Sequence, residues 1–422
     1  MTADNTPAFK VVHLTTVDSS LRYLLRPQLT AVGDRGGEAV GVSAPGPDVE
    51  SLARDGIRHV PLTDSTRAMD PLADLRAAAA LWRILRRERP DVLHTHNPKP
   101  GLYGRVVGRL ARVPVVVNTN HGLYATEDHG RLRRTAILGM EAVAARFSDA
   151  ELIQSPEDLD LLLRRRVNRR SRTQLLGNGV DLERFRTGAL DPDERAALRA
   201  ELGAGPGDVV VGMVGRLVAE KGVLELLAAA RRLGDGYVVV VIGPDDPSKP
   251  DAIDRDTVRS AEAAGVRFLG LREDVDRLYG AMDMFVLPSW REGFPRAAME
   301  AAASGLPVVA TDVRGCRQVV DHEATGLLVP KRNPVALADA IRALGEDPAA
   351  RAAYGAAAAA KARREFDERR IVETVLDAYA SVAVRKGLDR LAAALRTMPD
   401  APDAPAAVTP ASPGPGPAPP AQ

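Results

Sequence analysis

Residues 284–304, MFVLPSWREGFPRAAMEAAAS, join a short apolar run to an alanine-rich segment and carry two glutamates. The apolar run predicts a buried strand, and a proline at its first turn predicts a helix over 296–304. Glu292 and Glu300 therefore follow the carboxyl end of a strand, which is the edge of an open parallel sheet where ligands bind. Alternatively, both carboxylates only interact with the positive N-terminal end of the helix dipole.

Composition limits the class of protein. The chain has 422 residues, of which 45% are hydrophobic and 27% charged, so we expect two globular domains. No run approaches the ~18 apolar residues that span a bilayer, and the N-terminus lacks a signal-peptide pattern. Cys316 is the single cysteine. This count excludes a disulfide framework and a thiolate metal site, and it favours a cytoplasmic location.

The chain alternates apolar strand patterns with helical patterns. Strands are predicted at 9–14, 38–42, 57–60, 91–94, 114–117 and 150–153, then at 208–214, 237–242, 266–269, 284–287, 307–310 and 326–329. Ser155 to Asp158 have the pattern of a capping box that opens one helix. Repeated βα units predict an α/β fold with two Rossmann-like domains, each a doubly wound parallel sheet facing an interdomain cleft.

Four segments divide the chain. Residues 1–186 are predicted to form the N-terminal domain and residues 187–375 the C-terminal domain. Residues 376–397 are predicted as a C-terminal helix, with a return to the N-terminal domain as one option. Residues 398–422 are rich in proline and alanine and have almost nothing to bury, so we expect them to be disordered.

The loop after the first strand argues against two common nucleotide enzymes. Residues 15–20 read TTVDSS, where a dinucleotide oxidoreductase would have G-x-G-x-x-G. The P-loop pattern G-x-x-x-x-G-K-[ST] is also absent from the sequence. Nucleic-acid binding is disfavoured too, because aromatic residues make up 4% of the chain and no coherent basic stripe is present.

A second motif follows the first strand of the C-terminal half. Residues 215–222, GRLVAEKG, place two cations between a strand and a helix N-terminus. Free N–H groups, the helix dipole and positive charge converge there, so Arg216 and Lys221 predict a phosphate site. The alternative is a loop with two solvated bases. Carboxylates such as Glu292 and Glu300 suit sugar hydroxyls, and together the two motifs predict binding of a nucleotide sugar.

These motifs resemble the retaining glycosyltransferase family 4, whose members have the GT-B fold. The resemblance covers roughly residues 9–380 and rests on the ordered set of motifs 178–181, 215–222, 268–270, 292–300 and 326–330. Residues 94–99 and 311–317 resemble a subgroup that builds capsular and lipid-linked oligosaccharides. The resemblance therefore implies transfer of a hexose-type sugar from a nucleotide diphosphate sugar, preferably a UDP-sugar, to a lipid-linked or polysaccharide acceptor.

The family resemblance implies roles for individual residues. Arg216 and Lys221 would hold the donor diphosphate, Glu300 the ribose and Glu292 the transferred sugar. His121 would lie beside the reacting sugar. The implied catalytic residues are His121, Arg216, Lys221 and Glu292, and the implied donor-binding residues are Gly215, Arg216, Lys221, Gly270, Leu271, Glu292, Gly293, Phe294 and Glu300.

The N-terminal domain departs from the family at one loop. Many members carry a Gly-Gly loop after the first strand, where this chain has TTVDSS. Hydroxyls and N–H groups of that loop could serve instead. The residues predicted to line the N-domain side of the cleft are Thr16, Ser19, His94, Lys99, His121 and Gly122.

No metal and no cofactor are expected, because His94 and His96 have no acidic or thiol third ligand nearby in sequence and the GT-B class needs no bound metal. Cys316 is expected to be a packing residue.

The basic and apolar stretch 161–170 predicts, as one option, peripheral contact with the inner face of the cell membrane. Two other functions stay open: a nucleotide-sugar epimerase of the same fold, and a non-catalytic nucleotide-sugar-binding homologue.

Overall fold

Two parallel β-sheets with helices on their faces carry the candidate site. The structure, a computed structural model, describes residues 7–66, 70–96, 99–125, 130–247 and 249–397. The tail predicted to be disordered, residues 398–422, lies outside the described residues, as do residues 97 and 98 of the 94–99 motif.

The first sheet has seven strands in the order β3-β2-β1-β4-β5-β6-β7. They are β1 (Lys10–Val17), β2 (Glu38–Ala44), β3 (Arg58–Pro61), β4 (Val92–His96), β5 (Val115–Asn120), β6 (Ala150–Ile153) and β7 (Thr173–Leu175). All neighbouring strands pair in parallel, and β1 pairs with β4 so that His13 lies opposite His94. The six predicted strands are present. β7 was missed because it is short and two of its three residues are exposed.

The second sheet has six parallel strands in the order β10-β9-β8-β11-β12-β13. They are β8 (Val209–Val214), β9 (Tyr237–Ile242), β10 (Arg267–Phe268), β11 (Met284–Leu287), β12 (Val308–Thr311) and β13 (Gly326–Val329). β8 and β11 are neighbours in this order, so the loops that follow them begin side by side at the carboxyl edge. This adjacency places the two predicted donor motifs together.

Helices connect the strands of both sheets. The first half contains α1 (Asp18–Ser20), a π-helical turn (Leu21–Leu25), α2 (Arg26–Asp34), α3 (Val49–Arg54), α4 (Pro71–Glu88), α5 (Lys99–Leu110), α6 (Arg131–Ala144) and α7 (Pro156–Arg164). The second half contains α8 (Pro192–Glu201), α9 (Val223–Ala230), α10 (Arg255–Ala263), α11 (Val275–Ala281), α12 (Arg296–Ala303), α13 (Arg314–Val319), α14 (Pro334–Glu346), α15 (Pro348–Glu365), α16 (Glu368–Arg385) and α17 (Asp389–Arg396).

The chain returns to the first sheet at α16. Backbone hydrogen bonds join Val180 to Phe366 and Glu368 at the point where the chain crosses between the sheets. Beyond it, α16 and α17 share a buried core with strands of the first sheet, including Val115 and Tyr379. Residue 376, where the sequence suggested a boundary, lies inside α16. The apolar face of α16 therefore covers one side of the first sheet.

Candidate active site

Lys221 and Glu292 meet at the carboxyl edge of the second sheet. Lys221 Nζ donates a hydrogen bond to Glu292 Oε1 at 2.6 Å, and Ser289 Oγ donates to the same oxygen at 2.7 Å. The loops are close because Gly222 has φ of 77°, and a Cβ there would lie 2.1 Å from the carbonyl oxygen of Pro288. Only glycine fits that approach. The structure thus joins the two predicted donor motifs.

Arg216 also has an acidic partner, which the sequence did not reveal. Its guanidinium forms an ion pair with Asp246 at 2.5 Å, and the arginine side chain remains about one-third exposed at 35%. Asp246 lies in the loop after β9, the neighbour of β8. The two cations predicted to bind phosphate are therefore each balanced by a carboxylate.

Glu300 lies on α12 with partners of its own. Arg296 Nε donates to Glu300 Oε1 at 3.0 Å, and the hydroxyl of Tyr279 donates to Oε2 at 3.3 Å. Burial raises the pKa of Glu300, opposed by the charge of Arg296. Arg296 also reaches Glu368 at 3.4 Å. Glu292 and Glu300 thus belong to separate hydrogen-bonded groups at one edge of the sheet.

The remaining donor-side residues differ in exposure. Gly270 has φ of 64° and is exposed, and the neighbouring Leu271 side chain is 61% exposed, so this loop is open to solvent. The N–H of Gly215 is bound within the sheet edge to the carbonyl of Ile242 at 2.8 Å. The ring of Phe294 packs edge-to-face on a core phenylalanine.

The backbone of His121 and Gly122 contacts Gly293, in the loop after β11. A Cβ on Gly293 would lie 1.9 Å from the carbonyl oxygen of His121, and one on Gly122 would lie 2.6 Å from Cα of Gly293. Glycine at both positions lets the two backbones touch. The His121 ring hydrogen-bonds His96 at 2.9 Å, and burial lowers the pKa of His121 to about 4. His121 is therefore neutral at neutral pH and lies where the N-domain meets Gly293.

The other N-domain residues of the prediction lie in different surroundings. His94 is fully buried, with its ring nitrogens bonded to Tyr379 and Thr119, so its side chain lies in the interior rather than along the cleft. Lys99 Nζ binds the carbonyl of Thr66 and the carboxylate of Asp74. Thr16 on β1 and Ser19 on α1 are both half-buried.

Comparison with known proteins identifies the family. Residues 29–184 match the family model described as Glycosyltransferase Family 4, and residues 208–347 match the one described as Glycosyl transferases group 1. The D-inositol 3-phosphate glycosyltransferase of Xylanimonas cellulosilytica is 32% identical over 314 residues, which are 70% of this chain and 73% of that protein. The chain belongs to glycosyltransferase family 4. It is therefore a glycosyltransferase, which disfavours the epimerase alternative.

This glycosyltransferase is also similar to a second curated relative and to a solved structure. A relative from Escherichia coli, the UDP-Gal:alpha-D-GlcNAc-diphosphoundecaprenol alpha-1,3-galactosyltransferase, is 28% identical over 65% of this chain and 71% of its own. The solved structure of Anabaena HepE in complex with UDP-glucose has a TM-score of 0.73 at 22% identity, and covers 88% of this chain and 100% of that one. The structural likeness shows the GT-B fold.

An ion pair between the two halves of the glycosyltransferase was missed by the sequence analysis. Arg314 pairs with Asp158 at 2.5 Å and donates to the carbonyl of Ala125 at 3.2 Å. Asp158 also accepts from the N–H of Leu123, so its carboxylate does not complete the predicted capping box with Ser155, whose hydroxyl still caps the helix. The sequence pattern predicted a capping role for Asp158 and not this ion pair, because local spacing cannot show a partner 156 residues away.

The glycosyltransferase also brings a third histidine to the two considered for a metal. His13 of β1 joins His94 and His96, and one ring nitrogen from each lies within 4.8 Å of the others. A third histidine ligand was not predicted because His13 lies far from His94 in the sequence, on the neighbouring strand β1.

Cys316 is buried and burial raises the pKa of its thiol, consistent with a packing residue. Of the helices in the described ranges, none has the length and apolarity required to cross a membrane.

Proposed function

We propose that this enzyme transfers a sugar from a nucleotide diphosphate sugar, with UDP as the carrier, to a lipid-linked or polysaccharide acceptor, with retention of the anomeric configuration. The observation that carries the proposal is the 2.6 Å contact of Lys221 with Glu292, since it brings the cation proposed to bind phosphate against the carboxylate proposed to bind the sugar. Two relatives support the acceptor class, because one acts on a diphosphoundecaprenol-linked sugar and another is a glycosyltransferase of capsular polysaccharide biosynthesis.

Donor binding would reorganise the charges at the sheet edge. The diphosphate would lie between Arg216 and Lys221, near the start of α9, where free N–H groups face the ligand. Both cations would then exchange part of their bonding to Asp246 and Glu292 for phosphate oxygens. Glu292 freed in this way would accept hydrogen bonds from hydroxyls of the sugar, and Glu300 would accept hydrogen bonds from hydroxyls of the ribose.

The transfer step would break the bond between the anomeric carbon and the diphosphate oxygen. The acceptor hydroxyl oxygen would bond to that carbon from the face that the diphosphate leaves, and a diphosphate oxygen would take the hydroxyl proton. Arg216 and Lys221 would neutralise the charge that develops on the departing diphosphate. Contact of His121 and Gly122 with Gly293 would exclude water from the reacting carbon.

No metal or other cofactor is required in this proposal, since the two cationic side chains supply the positive charge. Transfer by the purified enzyme is therefore expected to continue in excess chelator. Loss of transfer with chelator, restored by one divalent ion, would contradict this part of the proposal.

A lipid-linked acceptor implies a location at the inner face of the membrane. In stretch 161–170 Leu162 is fully buried, Leu161 and Leu163 are half-buried, and only the arginines are exposed. Helix α6 offers a better surface, because Leu132 is 86% exposed beside Arg131 and Arg133. Wild-type protein should float with anionic liposomes, and Leu132→Asp should reduce flotation while Leu224→Asp in the second half does not. No flotation of the wild type would contradict membrane contact.

A donor screen by thermal shift tests the nucleotide, because a ligand that binds the folded state raises the melting temperature. UDP and UDP-sugars should stabilise the protein more than the corresponding ADP and GDP compounds. The stabilising donor is then incubated with a lipid-linked acceptor, and the coupling constant of the product's anomeric proton gives its configuration. An inverted product would overturn retention, and an absence of any stabilising nucleotide sugar would overturn the donor class.

A further inference from the structure

A continuous set of buried hydrogen bonds leads to His121 from the interior of the first sheet. The set consists of Thr119, His94, Tyr379, His13, His96, His121 and Gln154, and we call it the histidine row. The strands β1, β4, β5 and β6 carry or precede all of its members except Tyr379, which lies on α16. Because these strands are neighbours in the sheet, residues far apart in sequence lie side by side.

The distances define the order of the row. Thr119 Oγ1 lies 2.7 Å from His94 Nε2, and His94 Nδ1 lies 2.6 Å from the hydroxyl of Tyr379. That hydroxyl lies 3.5 Å from His13 Nε2, which is the longest link. His13 Nδ1 lies 3.2 Å from His96 Nε2, and His96 Nδ1 lies 2.9 Å from His121 Nε2.

The end of the row is at Gln154. The side chain of Gln154 hydrogen-bonds His121 and raises its pKa against the larger lowering by burial. Nε2 of His121 faces His96.

All four histidines of the row are neutral, because burial lowers the pKa of His13 to about 3, that of His121 to about 4 and those of the other two well below the usual value. A neutral imidazole donates from one nitrogen and accepts at the other. Each bond in the row therefore fixes the direction of the next, and only two directions are possible.

The hydroxyl of Thr119 selects between them. In the described part of the chain its side chain hydrogen-bonds His94 alone, and it is fully buried. If His94 donated to Thr119, the threonine proton would lie buried without an acceptor, which costs about 1–3 kcal/mol. With Thr119 as the first donor, His94 donates to Tyr379, Tyr379 to His13, His13 to His96, and His96 to His121 Nε2.

We propose that the histidine row fixes His121 as the tautomer with hydrogen on Nδ1, and that His13, His96 and Tyr379 are positioning residues for sugar transfer. This inference rests on the proposed function, in which the His121 loop borders the reacting sugar. The hydrogen bonds to His96 and Gln154 restrain the His121 ring, and the backbone beside it lies against Gly293. The row thereby couples α16 to the cleft.

A metal ion on His13, His94 and His96 is the competing interpretation of the same cluster. Every ring nitrogen of these three residues already has a hydrogen-bond partner in the row. A bound ion would have to displace several of those bonds to bring nitrogens within the ~2.0–2.1 Å typical of zinc. The hydrogen-bonded row accounts for the geometry without that change.

Nitrogen-15 NMR on histidine-labelled protein reads the row without any activity assay. The chain has seven histidines, so each signal can be assigned by single substitutions. We expect His121 with a protonated Nδ1 and an unprotonated Nε2. In Tyr379→Phe, which keeps the ring but removes the link, the Nε2-protonated form of His121 should appear. His59→Gln is the control, because His59 lies on β3 and bonds Ser43 outside the row.

The role in transfer has a separate readout. His96→Leu should lower kcat about tenfold, as loss of one hydrogen bond worth about 1.4 kcal/mol would, while the donor KM changes less than about twofold. His96→Gln, which can still donate to His121, should recover much of that loss. Thermal unfolding of each variant identifies simple loss of folding, and Tyr379→Phe provides the conservative second case.

The outcomes separate the inference from the proposed function. Three results would contradict the proposal that the histidine row fixes the tautomer of His121. They are a wild-type His121 protonated on Nε2, an unchanged tautomer in Tyr379→Phe, and stoichiometric metal in the purified protein. A tautomer change with unchanged kcat in folded Tyr379→Phe and His96→Leu would overturn positioning. Failure of the wild type to transfer sugar from any donor would instead overturn the proposed function, and the NMR result would still stand.

Discussion

The ammonium nitrogen of Lys221 lies 2.6 Å from Oε1 of Glu292, which joins the loops after β8 and β11. This ion pair satisfies a carboxylate whose side chain is only 9% exposed. A bound diphosphate would compete for the lysine, and a bound sugar would compete for the carboxylate. In the proposed function, the pair therefore links recognition of the two parts of a donor.

Removal of donor-site charge should reduce transfer strongly. Lys221→Ala and Glu300→Gln are each expected to lower kcat/KM by at least ~10²-fold, because each removes a charged contact to the donor. Initial rates with saturating acceptor give the measurement. Lys10→Ala, which breaks a lysine ion pair with Glu38 at the start of β1, is the control and should change little. Unchanged turnover in both variants would show that Lys221 and Glu300 do not belong to the donor site.

Glu292→Gln should affect the sugar more than the nucleotide. The amide keeps an oxygen for Ser289 but loses the negative charge that faces Lys221. Titration calorimetry is expected to show about tenfold weaker binding of the UDP-sugar, as for one lost hydrogen bond, with little change for UDP. Equal losses for both ligands would assign Glu292 to the diphosphate instead.

Gly293→Ala should prevent the contact between the two halves of the enzyme. Its new Cβ would lie 1.9 Å from the carbonyl oxygen of His121, so one backbone must move. A displacement of about 1 Å at the reacting centre can cost 10²-fold in rate, which is the loss expected here. Gly139→Ala on α6 is the matched control, since its Cβ meets nothing within 4 Å. Full activity of Gly293→Ala would show that transfer does not need this contact.

Arg314→Ala should destabilise the protein because it leaves Asp158 buried without its cation. The Asp158 side chain is 4% exposed, and loss of one partner of a buried pair costs about 3–5 kcal/mol. Urea unfolding measures the change. Arg317→Ala breaks the exposed pair with Glu157, in which the side chains are 39% and 36% exposed, and should cost at most about 1 kcal/mol. Equal effects of the two substitutions would contradict the burial argument.

Stability should fall in mild acid because of the histidine row. The folded-state pKa values of His13 (about 3) and His121 (about 4) lie below the unfolded value of about 6.5, so the unfolded chain binds more protons. Their stabilising contribution is complete above pH ~6.5 and is lost as the pH falls towards those folded values. At about pH 5 each such histidine costs about 2 kcal/mol.

Urea midpoints at about pH 7.5 and pH 5 test this expectation. Glu300 opposes the trend, because its raised pKa adds stability at low pH that is lost as the pH rises. His13→Leu should therefore flatten the pH dependence, whereas His322→Gln, at an exposed position, should not. Equal pH dependence in wild type and His13→Leu would contradict the prediction.

The sequence by itself determined the alternation of strands and helices and the two motifs that we predict to bind the donor. Both are local properties: apolar periodicity marks each strand, and the spacing from Gly215 to Gly222 or from Glu292 to Glu300 lies within one strand–loop–helix unit. The short strand β7 escaped detection because it buries little and so carries little hydrophobic signal.

Only the tertiary structure decided which distant side chains meet. His13, His96 and Tyr379 are neighbours because strand order differs from chain order and because α16 returns to the first sheet. Asp158 pairs with Arg314 for the same reason. Sequence spacing fixes neighbours along one helix or strand, whereas a contact across a sheet or a cleft depends on how buried apolar faces pack together.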